Sequence, residues 1–133
     1  MNKNEMVRKK ILRYATNRGV KVFFGGEEVL EKFSKRNNIS YTKEVYGTSW
    51  ENEIYINSVK CDIPEIEIST LVHELAHFHS FRGELLVHNM KFFEAEFELF
   101  KYFGVPKPVV ENEKLWIREY YPRSYKKIIN RGW

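Results

Sequence analysis

The stretch TLVHELAHFHSF, residues 70–81, is the segment around which this chain of 133 residues is predicted to fold. It places His73 and His77 four positions apart, with Glu74 directly after the first of them, in a largely apolar run. On an α-helix a four-residue step turns through about 400°, so the two imidazoles lie about 40° apart on one face. The pattern therefore predicts a buried helix that presents two histidines to a single point.

The two histidines have the spacing of the zinc-binding pattern H-E-x-x-H, in which both nitrogens reach one Zn²⁺ at about 2.0–2.1 Å. Glu74 lies about 100° further round the helix. It is therefore expected to act as a general base that takes a proton from an attacking water and passes it to a leaving amine. The alternative interpretation is an ordinary core helix with hydrogen-bonded histidines. A helix-start signal at 62–65, with Pro64 near the first turn, favours the metal site.

A third ligand must come from outside this pair. His79 lies about 200° round the helix from His77 and is expected at the surface or behind the ligands. His88 follows the predicted helix end at Gly83 and directly precedes a helix start at Asn89, so a chain reversal would return it to the metal. It is the expected third ligand, in competition with four carboxylates: Glu84, Glu94, Glu96 and Glu98.

The remaining elements predict an α+β protein, with a small, hairpin-containing sheet packed on the metal-binding helix. Hydrophobic periodicity and capping residues predict helices over 3–17, 27–37, 62–81 and 89–104, and one or two short helices over 115–129 broken at Pro122. Alternation predicts a strand over 20–24 and a hairpin with arms 41–46 and 53–57, joined by a polar connection around Trp50. Residues 107–113 are expected to form a proline-containing connector.

Two of these elements also raise functional questions. Strand 53–57 is either purely structural or an edge that holds an extended substrate by β-addition. Helix 89–104 carries aromatic residues at helical spacing, and a core role is expected for Phe92, Phe93, Phe97 and Phe100.

The run from Tyr46 to Val105 resembles the catalytic core of the SprT-like metallopeptidases, the group that includes the Spartan proteases. The likeness rests on four segments in the same order: Tyr46-Gly47 with the strand to Asn57, the zinc helix 71–77, the third-ligand segment 88–92, and the helix that ends at Gly104. It covers about half of the chain. At Asn89 that family usually has glycine.

The length of 133 residues fits a single domain, residues 1–133, and the resemblance implies that this domain has a zincin-like fold. It also implies one Zn²⁺ held by His73, His77 and His88, with Glu74 as the general base of a peptidase. The chain is also similar to the ImmA/IrrE-like peptidases, which cleave repressors and take a glutamate from the next helix as third ligand. Phe93-Glu94-Ala95-Glu96-Phe97 resembles that segment, but the interval is short, and His88 followed by Phe92 favours the first family.

Composition limits the other function classes. Cys61 is the only cysteine, which excludes an intramolecular disulfide and a cysteine zinc ribbon and is compatible with a reducing cytoplasm. No apolar run approaches the roughly 20 residues of a membrane span, and the polar N-terminus lacks the apolar core of a secretion signal. The expected protein is therefore cytoplasmic, and its expected partner is a protein or peptide substrate.

The C-terminal segment 114–133 interleaves basic and aromatic residues, and the chain carries a net charge of +4. Such a segment suits single-stranded DNA, because bases stack on aromatic rings while phosphates contact Lys and Arg. The alternative is a solvated basic face over an aromatic core. If the segment binds nucleic acid, the chain has a rival function of another class: it is a nucleic-acid-binding protein in which the zinc is structural and catalyses nothing.

Overall fold

The computed structural model describes residues 1–41, 45–80 and 88–133. Within these ranges the chain is a compact, mixed α+β protein with six helices and one three-stranded sheet. The elements, in chain order, are α1 (Lys3–Asn17), β1 (Lys21–Gly25), α2 (Glu27–Asn37), β2 (Gly47–Trp50), β3 (Glu53–Asn57), α3 (Pro64–Ser80), α4 (Met90–Phe103), α5 (Lys107–Tyr120) and α6 (Pro122–Asn130).

Helix α4 begins and ends at the capping residues predicted for it. The Asn89 side chain accepts a hydrogen bond from the Phe92 amide at 3.1 Å and starts α4, while Gly104 ends it in the left-handed conformation at φ 64°. Asn2 caps α1 in the same way through the Glu5 amide. The helices predicted over 3–17, 27–37 and 89–104 are thus confirmed, and their capping signals are local in the sequence.

The hairpin prediction was wrong in its first arm. Strand β2 covers Gly47–Trp50, which had been assigned to the connection, and only Glu51 and Asn52 form the turn. Glu51 adopts a positive φ of 54° there. The predicted arm 41–46 contributes no strand within its described residues, and residues 42–44 of it lie outside the described ranges.

The sheet has the order β1-β3-β2, with β1 parallel and β2 antiparallel to β3. Strand β3 is therefore the central strand, and the edge-strand role considered for residues 53–57 is wrong. Pairing with β1, which lies far away in the sequence, occupies the side of β3 that the hairpin leaves open. The edge beside the histidine helix belongs to β2.

Helix α3 packs against the sheet, α1, α4 and α5, and its buried face carries Leu71, Val72, Leu75 and Ala76. The predicted connector 107–113 is in fact the first half of α5. Pro106 and Pro108 stand before and within the first turn, where a missing N–H breaks no helical hydrogen bond. Val109, Glu113 and Ile117 recur every four residues and are all buried. Pro122 separates α5 from α6, as predicted.

None of the helices in the described ranges has the length and apolar character needed to cross a bilayer. The four aromatic residues of α4 predicted to lie in the core do so, since Phe92, Phe93, Phe97 and Phe100 are all at most 3% exposed.

Candidate metal centre

Three imidazoles converge between α3 and the start of α4. His73 and His77 lie on α3, and His88 lies just before the N-cap of α4. The ring centroids of the three residues are 4.9–5.3 Å apart, from the distances 5.3, 4.9 and 5.0 Å. Each ring offers one nitrogen that lies within 4.8 Å of the nitrogens of the other two. The fold thus brings together the three histidines that the sequence singled out.

The nitrogens fit a small cation. Nε2 of His73 lies 3.0 Å from Nε2 of His88, and two nitrogens bound tetrahedrally to zinc at about 2.0–2.1 Å lie roughly 3.3 Å apart. Nδ1 of His77 is buried and has no hydrogen-bond partner among the described residues. Three imidazole nitrogens that lie within 4.8 Å of one another are a donor set that zinc accepts in proteins. The donor set is therefore suited to Zn²⁺.

Phe92 forms the packing base of this cluster. Its side chain is fully buried, and its ring centroid lies 4.8, 4.4 and 4.9 Å from the rings of His73, His77 and His88. One aromatic residue on α4 therefore contacts all three imidazoles and limits their rotation.

The outer nitrogens of two imidazoles bind residues of the C-terminal half of the chain. Nδ1 of His73 lies 2.7 Å from Oε2 of Glu113 on α5. Nδ1 of His88 lies 3.0 Å from the hydroxyl of Tyr121, the residue that follows α5. A carboxylate can only accept, so Nδ1 of His73 donates to Glu113, and in the neutral ring Nε2 carries the lone pair that can bind a metal.

A second carboxyl group, Glu96 of α4, is fully buried beside this contact. One of its oxygens lies 3.2 Å from Nδ1 of His73, but neither forms a well-directed hydrogen bond within the described residues. Burial and the nearby Glu113 carboxylate raise the pKa of Glu96 well above its usual value. Burial also acts to raise the pKa of Glu113, but the adjacent His73 holds it below its usual value. Glu96 is therefore the protonated member of the pair.

Burial acts to lower the pKa of all three imidazoles, but the net shifts differ in sign. It lowers the pKa of His77 to about 3, with a further contribution from His73, and the pKa of His88 to about 4. It also acts to lower the pKa of His73, but Glu113 and Glu96 outweigh it and raise that pKa well above the usual value. His77 and His88 are therefore neutral at physiological pH, the form in which histidine binds metals.

Glu74 lies beneath β2, on the side of α3 next to the histidines. It is only 6% exposed, and burial raises the pKa of its carboxyl group, although the charge of His73 opposes the shift. A carboxylate whose pKa is raised from its usual value is a better proton acceptor near neutral pH. The close approach of β2 depends on Gly47, since a Cβ there would lie 3.4 Å from Cγ of Glu74 and 2.8 Å from Cγ2 of Thr70.

A cleft of about 510 Å³ opens beside these groups. Its floor is the α3 face that carries His73 and Glu74, one wall is the β2 edge around Gly47, and the other wall is α5 around Trp116. We call this cavity the α3 cleft. It has the size of a site for a small ligand or a few residues of a peptide.

The other predicted ligands lie elsewhere. His79 contacts the Tyr14 hydroxyl at 2.7 Å, Glu94 pairs with Arg131, and Glu98 is exposed. Glu84 lies outside the described residues. Glu96 does approach the cluster, but on the Nδ1 side of His73, where it forms a second three-donor group with Glu113.

The sequence interpretation missed Glu113 and Tyr121. The prediction of a connector over 107–113 overlooks the four-residue spacing of Val109, Glu113 and Ile117. Such spacing on a helix would have placed Glu113 on the buried face, where a carboxylate requires a partner. Nothing in the sequence around Tyr121 indicates its contact with His88.

Most aromatic residues of the C-terminal segment pack inward, whereas Tyr120 is 64% exposed. Trp116, Tyr121, Tyr125 and Trp133 lie against the hydrophobic core, and Trp133 stacks on Phe97 with ring centroids 5.5 Å apart. Exposed basic side chains surround them: Arg118, Arg123, Lys126, Lys127 and Arg131. This is the arrangement of a basic face over an aromatic core, and binding of single-stranded DNA stays a prediction.

Comparison with known proteins found no matching family model, no matching curated protein and no matching solved structure. The resemblance to SprT-like and ImmA/IrrE-like peptidases therefore rests on the sequence motifs alone.

Proposed function

We propose that this chain is a zinc-dependent metallopeptidase with a zincin-like, SprT-like fold, in which His73, His77 and His88 hold one Zn²⁺. The observation that carries the proposal is the convergence of three imidazoles, one of which, His73, lines the floor of the α3 cleft beside the buried carboxyl group of Glu74. Zinc bound by three protein ligands supplies a Lewis acid and lowers the pKa of a bound water to about 7.

The residues of the chain supply the proton transfers. Glu74 accepts a proton from the attacking water and delivers it to the amide nitrogen that leaves. Its burial under β2 raises its pKa and restricts its position. The two transfers balance the reaction: the C–O bond forms as Glu74 takes the proton from water, and the C–N bond breaks as the same carboxyl group returns that proton to the amine nitrogen.

The substrate is expected to be an extended peptide that lies along β2. The Asn57 amide donates to the Tyr46 carbonyl at 2.9 Å, so the alternation of antiparallel pairing turns the N–H and C=O of Gly47 away from β3. Gly47 lines the α3 cleft. A peptide added at this edge would pass the histidines and Glu74 in extended form. The single, buried Cys61 is in keeping with the reducing cytoplasm in which we place the enzyme.

The test compares Glu74→Gln with wild type, and uses Glu98→Gln, an exposed glutamate on α4, as the matched control. Zinc content and cleavage of a mixed peptide library are measured on the same samples. We expect Glu74→Gln to keep one zinc and lose roughly 10²–10⁴-fold in kcat, while Glu98→Gln matches wild type. Zinc-bound wild type that cleaves nothing would refute the peptidase and favour the rival, a structural zinc in a binding protein.

A further inference from the structure

Helix α5 and the residue that follows it contact the outer nitrogens of two of the three imidazoles. Glu113 binds Nδ1 of His73 and Tyr121 binds Nδ1 of His88, although the two residues are eight positions apart. Eight residues span about 12 Å of helix, so a single rigid element contacts two of the three imidazoles from outside. His77 has no such contact at Nδ1 within the described ranges.

Glu113 is itself held firmly. Its side chain is 7% exposed, and the neighbouring Asn112 donates to the Ser69 hydroxyl at 3.1 Å, which fixes α5 against α3. Since Glu113 can only accept, it sets both the tautomer and the ring orientation of His73. Outer carboxylates of this kind typically contribute 10–100-fold to metal affinity.

Tyr121 is held in an equally defined position. Its amide donates to the Ile117 carbonyl at 2.7 Å, and its ring contacts Trp116 and Phe93 at centroid distances of 5.4 and 5.7 Å. The hydroxyl therefore has a defined position, and its hydrogen bond with Nδ1 orients the His88 ring. This matters for His88 because it lies on no helix or strand, unlike His73 and His77.

We propose that Glu113 and Tyr121 are positioning residues of the metal centre: Glu113 orients His73, and Tyr121 orients His88. This inference rests on the zinc site of the proposed function. It assigns to α5 and its C-terminal end the task of organising the ligands, in addition to forming one wall of the α3 cleft. Neither residue touches the reacting atoms, so neither is a catalytic residue.

The experiment measures zinc affinity by competition with a chromogenic chelator for wild type, Glu113→Gln and Tyr121→Phe. Both substitutions preserve side-chain volume. Glu111→Gln, an exposed glutamate on the same helix, and Tyr125→Phe, a half-buried tyrosine on α6, serve as matched controls. Circular dichroism of the metal-free proteins establishes that each variant is folded. The visible spectrum of the Co²⁺-substituted proteins reports the ligand geometry directly, and kcat and KM are determined where cleavage occurs.

We expect zinc affinity to fall by about 10–100-fold in Glu113→Gln and Tyr121→Phe, with an altered Co²⁺ spectrum and a reduced kcat at similar KM. Both controls should match wild type. Wild-type affinity and an unchanged Co²⁺ spectrum in both test variants would overturn the inference. Because affinity and spectrum require no cleavage, a zinc-bound but inactive wild type would refute the peptidase function and still leave this test decisive.

Discussion

Replacing Gly47 with alanine tests whether β2 must lie close to the histidine helix. A Cβ at this position would lie 2.8 Å from Cγ2 of Thr70 and 3.0 Å from the Tyr55 carbonyl oxygen. The Thr70 methyl group cannot easily turn away, because its hydroxyl donates to the Ile66 carbonyl at 2.7 Å. Strand β2 must therefore move away from α3, and this exposes the Glu74 side chain that it covers.

The magnitude follows from two opposing effects. Forcing a methyl group into a packed site costs about 1–3 kcal/mol. Alanine also restricts the unfolded chain more than glycine does, and this raises the free energy of unfolding by ~0.4–1 kcal/mol where the folded backbone accepts alanine. Gly47 has no positive φ, so its backbone accepts alanine. The middle of the first range less the middle of the second, about 2 less ~0.7 kcal/mol, gives an expected loss of about 1.3 kcal/mol in the free energy of unfolding of Gly47→Ala. Because the histidines stay in place, zinc affinity should be unchanged while kcat falls.

Urea denaturation of four proteins measures this effect: wild type, Gly47→Ala, Thr70→Ser and the double variant. Serine keeps the hydroxyl of Thr70 and removes the methyl group that meets the new Cβ. Thr70→Ser should therefore restore part of the stability only in the Gly47→Ala background. Two results would refute the reasoning: a Gly47→Ala protein as stable as wild type, or effects of the two substitutions that simply add.

Four further predictions concern the metal centre. Glu96→Gln should cost less unfolding free energy than Glu113→Gln in urea denaturation, because the raised pKa already keeps Glu96 uncharged; the reverse order would contradict the assignment of the proton. Phe92→Ala should cost about 3–5 kcal/mol in the same assay and also weaken zinc binding, and unaltered affinity would show that its contacts with the rings are incidental. Free zinc at 100 times its dissociation constant should raise the free energy of unfolding by about 2.7 kcal/mol over a sample in EDTA, and His77→Ala should abolish that difference; a stabilisation that survives in the variant would place the ion elsewhere. In the metal-free protein the pKa of His77 is about 3, against an ordinary value of 6.5, so the folded state binds fewer protons than the unfolded state between these values, and the free energy of unfolding falls as the pH drops through this window. His77→Asn should reduce this fall between pH 7 and pH 5. The same dependence of unfolding free energy on pH in wild type and variant would count against a buried neutral ring.

The helices that carry the centre are predictable because their signals are local. The apolar face and the start signal before Pro64 define α3, and Asn89 and Gly104 define α4. The proximity of His73 and His77 needs nothing beyond helix geometry, since residues four apart lie on one face. The buried aromatic face of α4 follows from the same periodicity.

The sheet was harder to predict because strand pairing depends on distant partners. The sequence placed β3 correctly at 53–57, but its neighbours are β1, more than 25 positions earlier, and a β2 strand of Gly-Thr-Ser-Trp that has little of the usual strand signature. Which strand forms the edge is decided by the pairing of all three. The prolines at the start of α5 similarly led to the prediction of a connector. The sequence does not distinguish a proline that is tolerated at the start of a helix from one that prevents a helix.

The sequence by itself determined the helix that carries His73, Glu74 and His77, and therefore the relative position of these side chains, because all of it is set by backbone geometry within a few residues. Only the tertiary structure decided what surrounds them. His88 approaches across 15 positions, Glu113 across 40, and Tyr121 reaches His88 across 33. Contacts of such separation depend on how whole helices pack, and no periodicity within one helix encodes them.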